Sequence, residues 1–452
     1  MNNLALIYQV GENGVVEQDI FKTIELYEKA SELDHSTAIN NLAVIYQYGV
    51  EDFVERDILK SIELFELAVE LKDLNAIHNL ALIYEFGVDD IIEKNFSNAI
   101  ELYELAAEMC DSKAIFNLAY FYESDFERFD ILKAIELYEK AVKLGDSNSM
   151  YNLANIYKKG FEDYVEPNIL KAIELYEKAI ELNNSNAMNN LAFLYQIGVE
   201  GFVERNIFKS IELYGRAAQL NDSSSLFNLG LIYQIGEEGA VEPNILKAIE
   251  LYDKAAELNH PKAFFNLATI YHHGEGDIVK NDMVKAIDYY WKASEFDHSH
   301  AIYNLALIYE EGIQGVVEKD ILKSIELYKK CAELDNSSSM YNIAMIYQNG
   351  VANIVEKDLE KSAFYLLKCF QIEGNENNVL QNLQEVVETK KIEWTRYYHI
   401  CWNLSNETNL QIKMILLIST HRTESNHPLV SDLLVEEIAL KIVKFLCHFN
   451  QI

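Results

Sequence analysis

Basic residues are scarce in this chain. Its 452 residues include 38 Lys or Arg against 72 Asp or Glu, a formal net charge of −34. A polyanion of that size repels nucleic acid and anionic headgroups, because gripping phosphates takes Lys and Arg. Nucleic-acid binding is therefore not expected. Cysteine is scarce too: Cys110, Cys331, Cys369, Cys401 and Cys447 form no CxxC pair and no even spacing. Neither a disulfide framework nor a zinc site is spelled out, and a reducing compartment fits such usage. No apolar run approaches the roughly 18 residues of a membrane span. The start, Met1-Asn2-Asn3-Leu4-Ala5, lacks a basic region followed by an apolar stretch, so no leader is read there. These absences together predict a soluble, cytoplasmic chain without membrane insertion. GxSxG, P-loop, HExxH and glycine-rich nucleotide motifs are also missing, so no enzyme, catalytic residue, cofactor or metal is expected.

What is present is apolar and periodic. Half of the chain is hydrophobic and 12% is aromatic, enough for a large core. Tyr8, Tyr46, Tyr84, Tyr122, Tyr157, Tyr195, Tyr233, Tyr271, Tyr309 and Tyr347 recur every 38 residues, apart from one interval of 35 between Tyr122 and Tyr157. A second series, from Tyr27 and Phe65 through Tyr328 to Leu366, keeps the same step and the same contraction. Ten copies of one unit thus fill residues 1–372.

The copy at Ser185–Asp222 shows the unit's construction. Ser185 is a candidate N-cap, and Ala187, Leu191, Ala192, Leu194 and Tyr195 trace an apolar stripe to Gly198, a candidate left-handed C-cap. That is helix A. A loop leads to Asn206, after which Ile207, Ile211, Leu213, Tyr214, Ala217 and Ala218 trace helix B. Every helix B starts with Asp or Asn, from Asp19 and Asp57 to Asp358. A short oxygen acceptor at the N-cap explains that restriction, so these acids read as structural rather than catalytic. Glu25 and Lys29, Glu136 and Lys140, Glu174 and Lys178, and Glu326 and Lys330 are pairs four apart that support a solvated helix face. A lone helix pair leaves much of its apolar face wet. Stacked neighbours bury it, so the expected fold is all-α: a right-handed superhelical α-solenoid of ten helix-turn-helix repeats.

The string A-x-x-x-L-A/G-x-x-Y-x-x-G, a loop, then D/N-x-x-K-A/S-x-x-x-Y-x-x-A-A resembles the Sel1-like repeat, a longer-looped relative of the tetratricopeptide repeat. The resemblance covers about four-fifths of the chain. It departs from the family where alanine replaces the glycine after the helix A leucine, as at Ala43, Ala154, Ala192 and Ala306, with glycine at Gly230. Copy four is shorter and has Asp125 where the loop glycine belongs, which predicts a local kink or a shifted superhelix there. The resemblance implies a non-enzymatic scaffold or adaptor that assembles protein partners.

One polar residue recurs five positions before every helix A tyrosine: Asn3, Asn41, Asn79, Asn117, Asn152, Asn190, Asn228, Asn266, Asn304 and Asn342. Asparagine is a poor mid-helix residue, so the row needs a cause. The slot resembles the concave-face position that forms an asparagine ladder in the tetratricopeptide superhelix of O-GlcNAc transferase. Two readings follow: the amides bind the backbone of an extended client peptide, or each bonds a neighbouring helix and fixes repeat register. The preceding position is often aromatic, as in Phe116, Tyr151, Phe227, Phe265, Tyr303 and Tyr341, with His78 and Asn189 elsewhere. These side chains either anchor a ligand in the groove or pack between repeats. One turn beyond lie Gln47, Glu85, Gln196, Gln234, Glu310 and Gln348. An amide-rich, aromatic and mildly acidic groove suits a neutral or basic segment of a protein client.

Other signals are weaker. His272-His273 and His298-Ser299-His300 are metal-like in composition but spell no closed ligand set. A hydrolase or metalloenzyme would need one. Residues 373–452 break the period and are expected to form a helical capping region around Gln381–Ile392, Trp394–Leu404 and Leu410–Ser419. Leu434 to Leu446 resembles the opening of an F-box, with Val435 in place of proline. It implies, as an alternative function, a substrate-recognition adaptor of a ubiquitin ligase; an amphipathic capping helix explains the same apolar spacing. At the other end Met1 starts inside helix A and leaves an apolar edge on the first repeat, which reads either as a shortened product or as a contact for a partner or another copy.

Overall fold

The computed structural model describes residues 1–373 except 12–15, 52, 125–128, 162, 163 and 238, together with 379, 381, 382 and 386. Asp125, the F-box-like stretch at Leu434–Leu446 and most of the expected capping helices lie outside the described residues. The chain divides into two compact units, Met1–Ser225 and Leu226–Ile452, taken separately below.

The first unit runs α1 (Asn2–Val10), α2 (Ile20–Ser31), α3 (Ser36–Tyr48), α4 (Ile58–Glu70), α5 (Leu74–Phe86), α6 (Phe96–Glu108), α7 (Ser112–Ser124), α8 (Ile131–Lys143), α9 (Ser147–Lys159), α10 (Ile169–Glu181), α11 (Ser185–Ile197) and α12 (Ile207–Gln219). α13 (Ser223–Ile235) carries the boundary. The second continues with α14 (Ile245–Glu257), α15 (Pro261–His273), α16 (Met283–Glu295), α17 (Ser299–Glu311), α18 (Ile321–Glu333), α19 (Ser337–Asn349) and α20 (Leu359–Glu373). Odd helices are the A helices and even ones the B helices. Within a unit each A packs on its own B, and each B on the next A. This is an all-α solenoid, as the periodicity predicts. Val379 and Val386 are buried against Leu366, Leu367 and Phe370 at the last repeat.

Capping explains where the helices start. In all ten copies the Asp or Asn carboxyl or amide oxygen before helix B accepts the backbone N–H three residues on, at 2.9 to 3.1 Å. The start of helix A differs from expectation by one residue. Asn184, not Ser185, is the N-cap of α11, accepting from the Ala187 N–H at 2.9 Å. Of the Glu–Lys pairs, Glu25–Lys29 and Glu174–Lys178 close at 2.5 and 2.6 Å, whereas Lys330 reaches Asp297 at 2.9 Å.

The loop between A and B is a closed structure. Gly49 has φ 69 and ψ 179, so its positive φ is as expected but its ψ is extended rather than left-handed helical. That corner of backbone space is essentially glycine's alone. Gly198, at φ 73 and ψ 165, behaves the same way. The chain then folds back: Val50 and Val54 exchange both backbone hydrogen bonds at 2.9 Å, and the Asp57 N–H returns to the Tyr46 carbonyl at 2.8 Å. Equivalent bridges close seven further loops, from Val88 with Ile92 to Val351 with Val355.

Three A helices use histidine as the N-cap. The Nδ1 atoms of His35, His260 and His298 lie 3.3, 3.3 and 3.4 Å from the backbone N–H groups of Ala38, Ala263 and Ala301. A nitrogen that accepts must be unprotonated, so these caps need neutral rings. Burial, then the neighbouring His300 and Lys262, hold the His298 pKa below its usual value. Its contribution to stability is fully present above the usual 6.5. Below that, the unfolded chain takes up the proton first and stability falls toward the depressed folded value. Taking the protein from about pH 7.5 to about pH 5 is expected to cost more stability in wild type than in His298→Asn, which keeps a cap without titrating. Urea denaturation at both pH values checks this; equal losses would remove the histidine cap as the cause.

Candidate functional site

The core of eight of the ten repeats is a tyrosine, and it is the one on helix B. Tyr27, Tyr138, Tyr176, Tyr214, Tyr252, Tyr290 and Tyr328 have no exposed surface. The helix A tyrosines are half-buried at their edges in most copies. Each is held by the helix B cap residue, which donates its N–H to the tyrosine carbonyl, and in every copy but the third, where Asn98 takes the place, a Lys three residues further on covers the ring. Lys60 Nζ lies 2.7 Å from the Tyr46 hydroxyl and 3.9 Å from the ring centroid. Lys22 on Tyr8, Lys133 on Tyr122, Lys171 on Tyr157 and Lys247 on Tyr233 repeat the arrangement. The D/N-x-x-K string thus serves as cap and clamp together, of which the sequence pattern alone reveals only the cap.

The buried hydroxyls bring two of the sequence rows together. From Asn41 onward every asparagine of the row is half-buried, and seven of the amides reach back to the helix B tyrosine of the preceding repeat. Asn41, Asn152, Asn190 and Asn342 donate to Tyr27, Tyr138, Tyr176 and Tyr328 at 3.3, 3.0, 3.3 and 3.0 Å. Asn117, Asn266 and Asn304 pair with Tyr103, Tyr252 and Tyr290. Each tyrosine in turn donates to the residue just after its own helix A tyrosine: Tyr103 to Glu85, Tyr214 to Gln196, Tyr252 to Gln234 and Tyr328 to Glu310, at 2.7 to 3.1 Å. One hydroxyl therefore ties three successive helices, A, B and the next A. Burial raises these phenols above their ordinary pKa, with Tyr252 pushed up to about 12, so they stay protonated donors.

The exceptions follow the same rule. Copy two has Phe65, which offers no hydroxyl, and Asn79 instead donates to Asn40 at 3.0 Å. Copy five has Lys158 in the acceptor slot, and Tyr176 turns to Asn155 at 2.6 Å. Copy ten has Leu366, and the Gln348 oxygen is buried without a partner among the described residues. Amides also meet along the stack: Asn190 donates to Asn155 at 2.8 Å and Asn41 to Asn2 at 3.4 Å.

The aromatic row lies beside the asparagines, half-buried in every copy where it occurs. Phe116, Tyr151, Phe227, Phe265 and Tyr303 lean on the buried tyrosines Tyr138, Tyr176, Tyr252, Tyr290 and Tyr328, with centroids 5.7 to 6.3 Å apart. The same rings reach the next cap: Phe265 stacks on His298 at 4.7 Å, and His78 bonds Asp111 at 2.8 Å. Tyr341 accepts from Asn382 at 3.3 Å. Each row residue thus has one side packed and one side open.

This surface offers hydrogen bonds and ring faces, the chemistry of binding. The Cys331 thiol, the nearest nucleophile by type, donates to the Ser299 carbonyl at 3.1 Å and burial pushes its pKa up, which keeps it unreactive. His272 and His273 stack on each other at 4.6 Å, and among the described residues no three His, Cys, Asp or Glu come together as a metal site. No helix among them is long and apolar enough to cross a membrane.

Comparison with known proteins agrees with this architecture. The family model of the Sel1 repeat matches residues 1–35, 36–73, 74–109, 112–146, 147–184, 185–222, 223–260, 261–295, 299–336 and 337–369. The comparison with curated proteins finds no match. Among solved structures, the chain is similar to c5321, a protective antigen of uropathogenic Escherichia coli strains with an SLR fold. The identity is 24%, the TM-score 0.53, and the match covers 93% of this chain and 83% of that one. It is also similar to a Sel1 repeat protein from Oxalobacter formigenes, at 22% identity and TM-score 0.50, over 58% of this chain and 100% of that one. With ten matched segments covering most of its length, the chain belongs to the Sel1 repeat family.

Proposed function

We propose that this protein is a cytoplasmic adaptor that holds an extended, neutral or basic segment of a protein client along the asparagine and aromatic rows. Sel1 repeat proteins generally mediate protein–protein interactions, and their solenoid is typically a non-catalytic scaffold. The observation that carries the finer reading is the half-burial of both rows in successive repeats. Each amide anchors one N–H inward, which orients it at no cost to a ligand and leaves further donor and acceptor capacity on the same group. Asn152, for example, makes among the described residues the single hydrogen bond it donates to Tyr138. Beside it, Tyr and Phe bury area at low entropic cost. In the first unit the site comprises Asn41, Asn79, Asn117, Asn152 and Asn190 with Phe116 and Tyr151. In the second it comprises Asn228, Asn266, Asn304 and Asn342 with Phe227, Phe265, Tyr303 and Tyr341. The outward side of α1, with Leu4, Ile7 and Val10 exposed, supports a contact with another copy or a partner there.

The test uses the aromatic row, because changing the asparagines also breaks their tyrosine bonds. An array of short neutral and basic peptides identifies binders, and Phe265→Ala, Tyr303→Ala and Tyr341→Ala together are expected to weaken them about tenfold. Binders that hold the triple variant as tightly as wild type, or an array without binders, would sink the reading.

A further inference from the structure

A second surface repeats as regularly as the first. The residue after the first helix B position is Phe21, Leu59, Leu132, Leu170, Phe208, Leu246, Val284 or Leu322 in eight of ten copies. All eight are exposed, Phe21 by 67% and Phe208 by 64%. Helix packing does not need them: the preceding Ile20, Ile58, Ile131, Ile207, Ile245 and Ile321 are buried and do that work. The loop adds another such series, among it Phe53, Ile91, Tyr164, Phe202, Ile278 and Ile354, again all exposed. The bridging valines hold that loop closed, so these tip residues have no internal role either.

The two series meet across neighbouring repeats. Phe21 and Phe53 pack edge to face with centroids 5.9 Å apart, and Leu322 and Ile354, the same 32 residues apart, line one depression in the second unit. Single exposed apolar residues are ordinary on a protein surface. A ridge renewed in repeat after repeat is what marks a contact face.

Charge says what covers it. The nine full-length loops, from Gly11–Asp19 to Gly350–Asp358, hold 25 acids and 6 bases, a net −19 of the chain's −34. The depression beside Phe21 and Phe53 is lined by Glu17, Asp19 and Glu51 with no base among its lining residues. The one beside Leu322 and Ile354 balances Glu326, Glu356 and Asp358 with Lys329, Lys357 and Lys361, so the acidic lining is that of the first unit. We propose that this ridge docks a lysine- and arginine-rich protein segment whose apolar side chains alternate with its cations. Arginine suits both features, since its guanidinium pairs with carboxylates and stacks on aromatic faces. A second copy of this chain brings the same negative loops and is disfavoured by like-charge contact; anionic lipid is disfavoured for the same reason.

The test uses the full chain and a fluorescent amphipathic leucine–lysine peptide, read by anisotropy. The ridge variant carries Phe21→Ser, Phe53→Ser, Leu59→Ser, Leu170→Ser and Phe208→Ser. It is expected to bind about tenfold more weakly than wild type, with unchanged helicity. A scrambled peptide of the same composition is expected to lose a similar factor. Should the ridge variant unfold, Glu17→Gln, Glu51→Gln and Glu55→Gln test the charged half alone, with the same direction expected. Equal binding by a folded ridge variant, or equal binding of a leucine–glutamate peptide, overturns the proposal. So does a wild-type dimer in sedimentation that the ridge variant loses, which makes the occupant a second copy. Ridge-dependent pelleting with phosphatidylcholine vesicles overturns it in favour of lipid. The triple variant of Phe265, Tyr303 and Tyr341 is expected to bind this peptide normally, which keeps the outcome separate from that of the row.

Discussion

Replacing Gly49 by alanine is expected to destabilise the first unit by about 3 kcal/mol, the upper end of the cost of a backbone conformation that L-residues avoid. Two effects add at this position. The residue sits at φ 69 and ψ 179, and a Cβ placed there meets the Val54 carbonyl oxygen at 2.8 Å and the Arg56 nitrogen at 3.1 Å. Both are fixed backbone atoms, and the Val54 oxygen is the acceptor that closes the loop bridge with the Val50 N–H. The methyl therefore opens the lasso that delivers Asp57 to its cap. Gly145 is the matched control: its φ is 83, yet a Cβ there meets nothing within 4 Å. Gly145→Ala should cost only about 1 kcal/mol, the conformational part by itself. Urea denaturation of both variants, with limited proteolysis of the loop after Gly49, makes the comparison. If the two alanines cost the same, the clash with the bridge has no weight.

Helix content, repeat number and the B-helix caps were legible because each has a local cause that recurs. Asp or Asn at a fixed place ten times over leaves little but an N-cap, and Gly198 at the end of an apolar stripe marks a helix end. The form of that end was not legible. Whether a positive-φ glycine is left-handed helical or extended depends on the bridge that follows, and Val199 with Val203 carries no sign of pairing in its spacing. The shift of the A-helix cap from Ser185 to Asn184 has a similar origin. Both residues are good caps, and the choice follows from Asn183 taking φ 59 at the turn before, a conformation that Asn tolerates. The rows were legible as rows, but their connection was not. Nothing in the spacing says that Asn190 belongs with Tyr176, 14 residues back, or that the helix B tyrosine rather than its helix A counterpart is the one without exposed surface. Such relations come from stacking, which sets distances between residues of different repeats. The exposed ridge is not legible for the opposite reason: Phe21 or Leu59 next to a buried isoleucine reads as one more apolar residue of the core.

Truncating Tyr252 to alanine is expected to cost the second unit about 4 kcal/mol, since a fully buried aromatic ring is lost and the cavity is only partly refilled. The surroundings favour the upper half of that range. Gly230 sits against the ring so closely that a Cβ there would lie 2.6 Å from Cε1, so the ring fills a gap that other copies close with an alanine methyl. Tyr252→Phe keeps the ring and removes the hydroxyl alone. It is expected to cost about 1–2 kcal/mol, because the Gln234 oxygen at 2.7 Å loses its donor and the Asn266 amide its acceptor. Phe65 in copy two shows that phenylalanine fits the slot, so the loss is one of hydrogen bonding. The pH dependence carries the same signature. A phenol held at about 12 in the folded chain stays protonated there after the unfolded chain, near its usual 10, has begun to ionise. Stability thus falls as pH rises from about 10 to about 12, and Tyr252→Phe lacks that share of the fall. A cycle with Asn266→Ala then separates the two roles of the asparagine row. Coupling of about 1 kcal/mol between the two positions shows that the amide holds repeat register. The peptide affinity of Tyr252→Phe then reads the other role, since this variant leaves Asn266 in place and removes only the bond that orients it. If affinity falls together with stability, register and client binding depend on one and the same hydrogen bond. If stability falls and affinity holds, the open side of the amide recognises its ligand without help from the tyrosine.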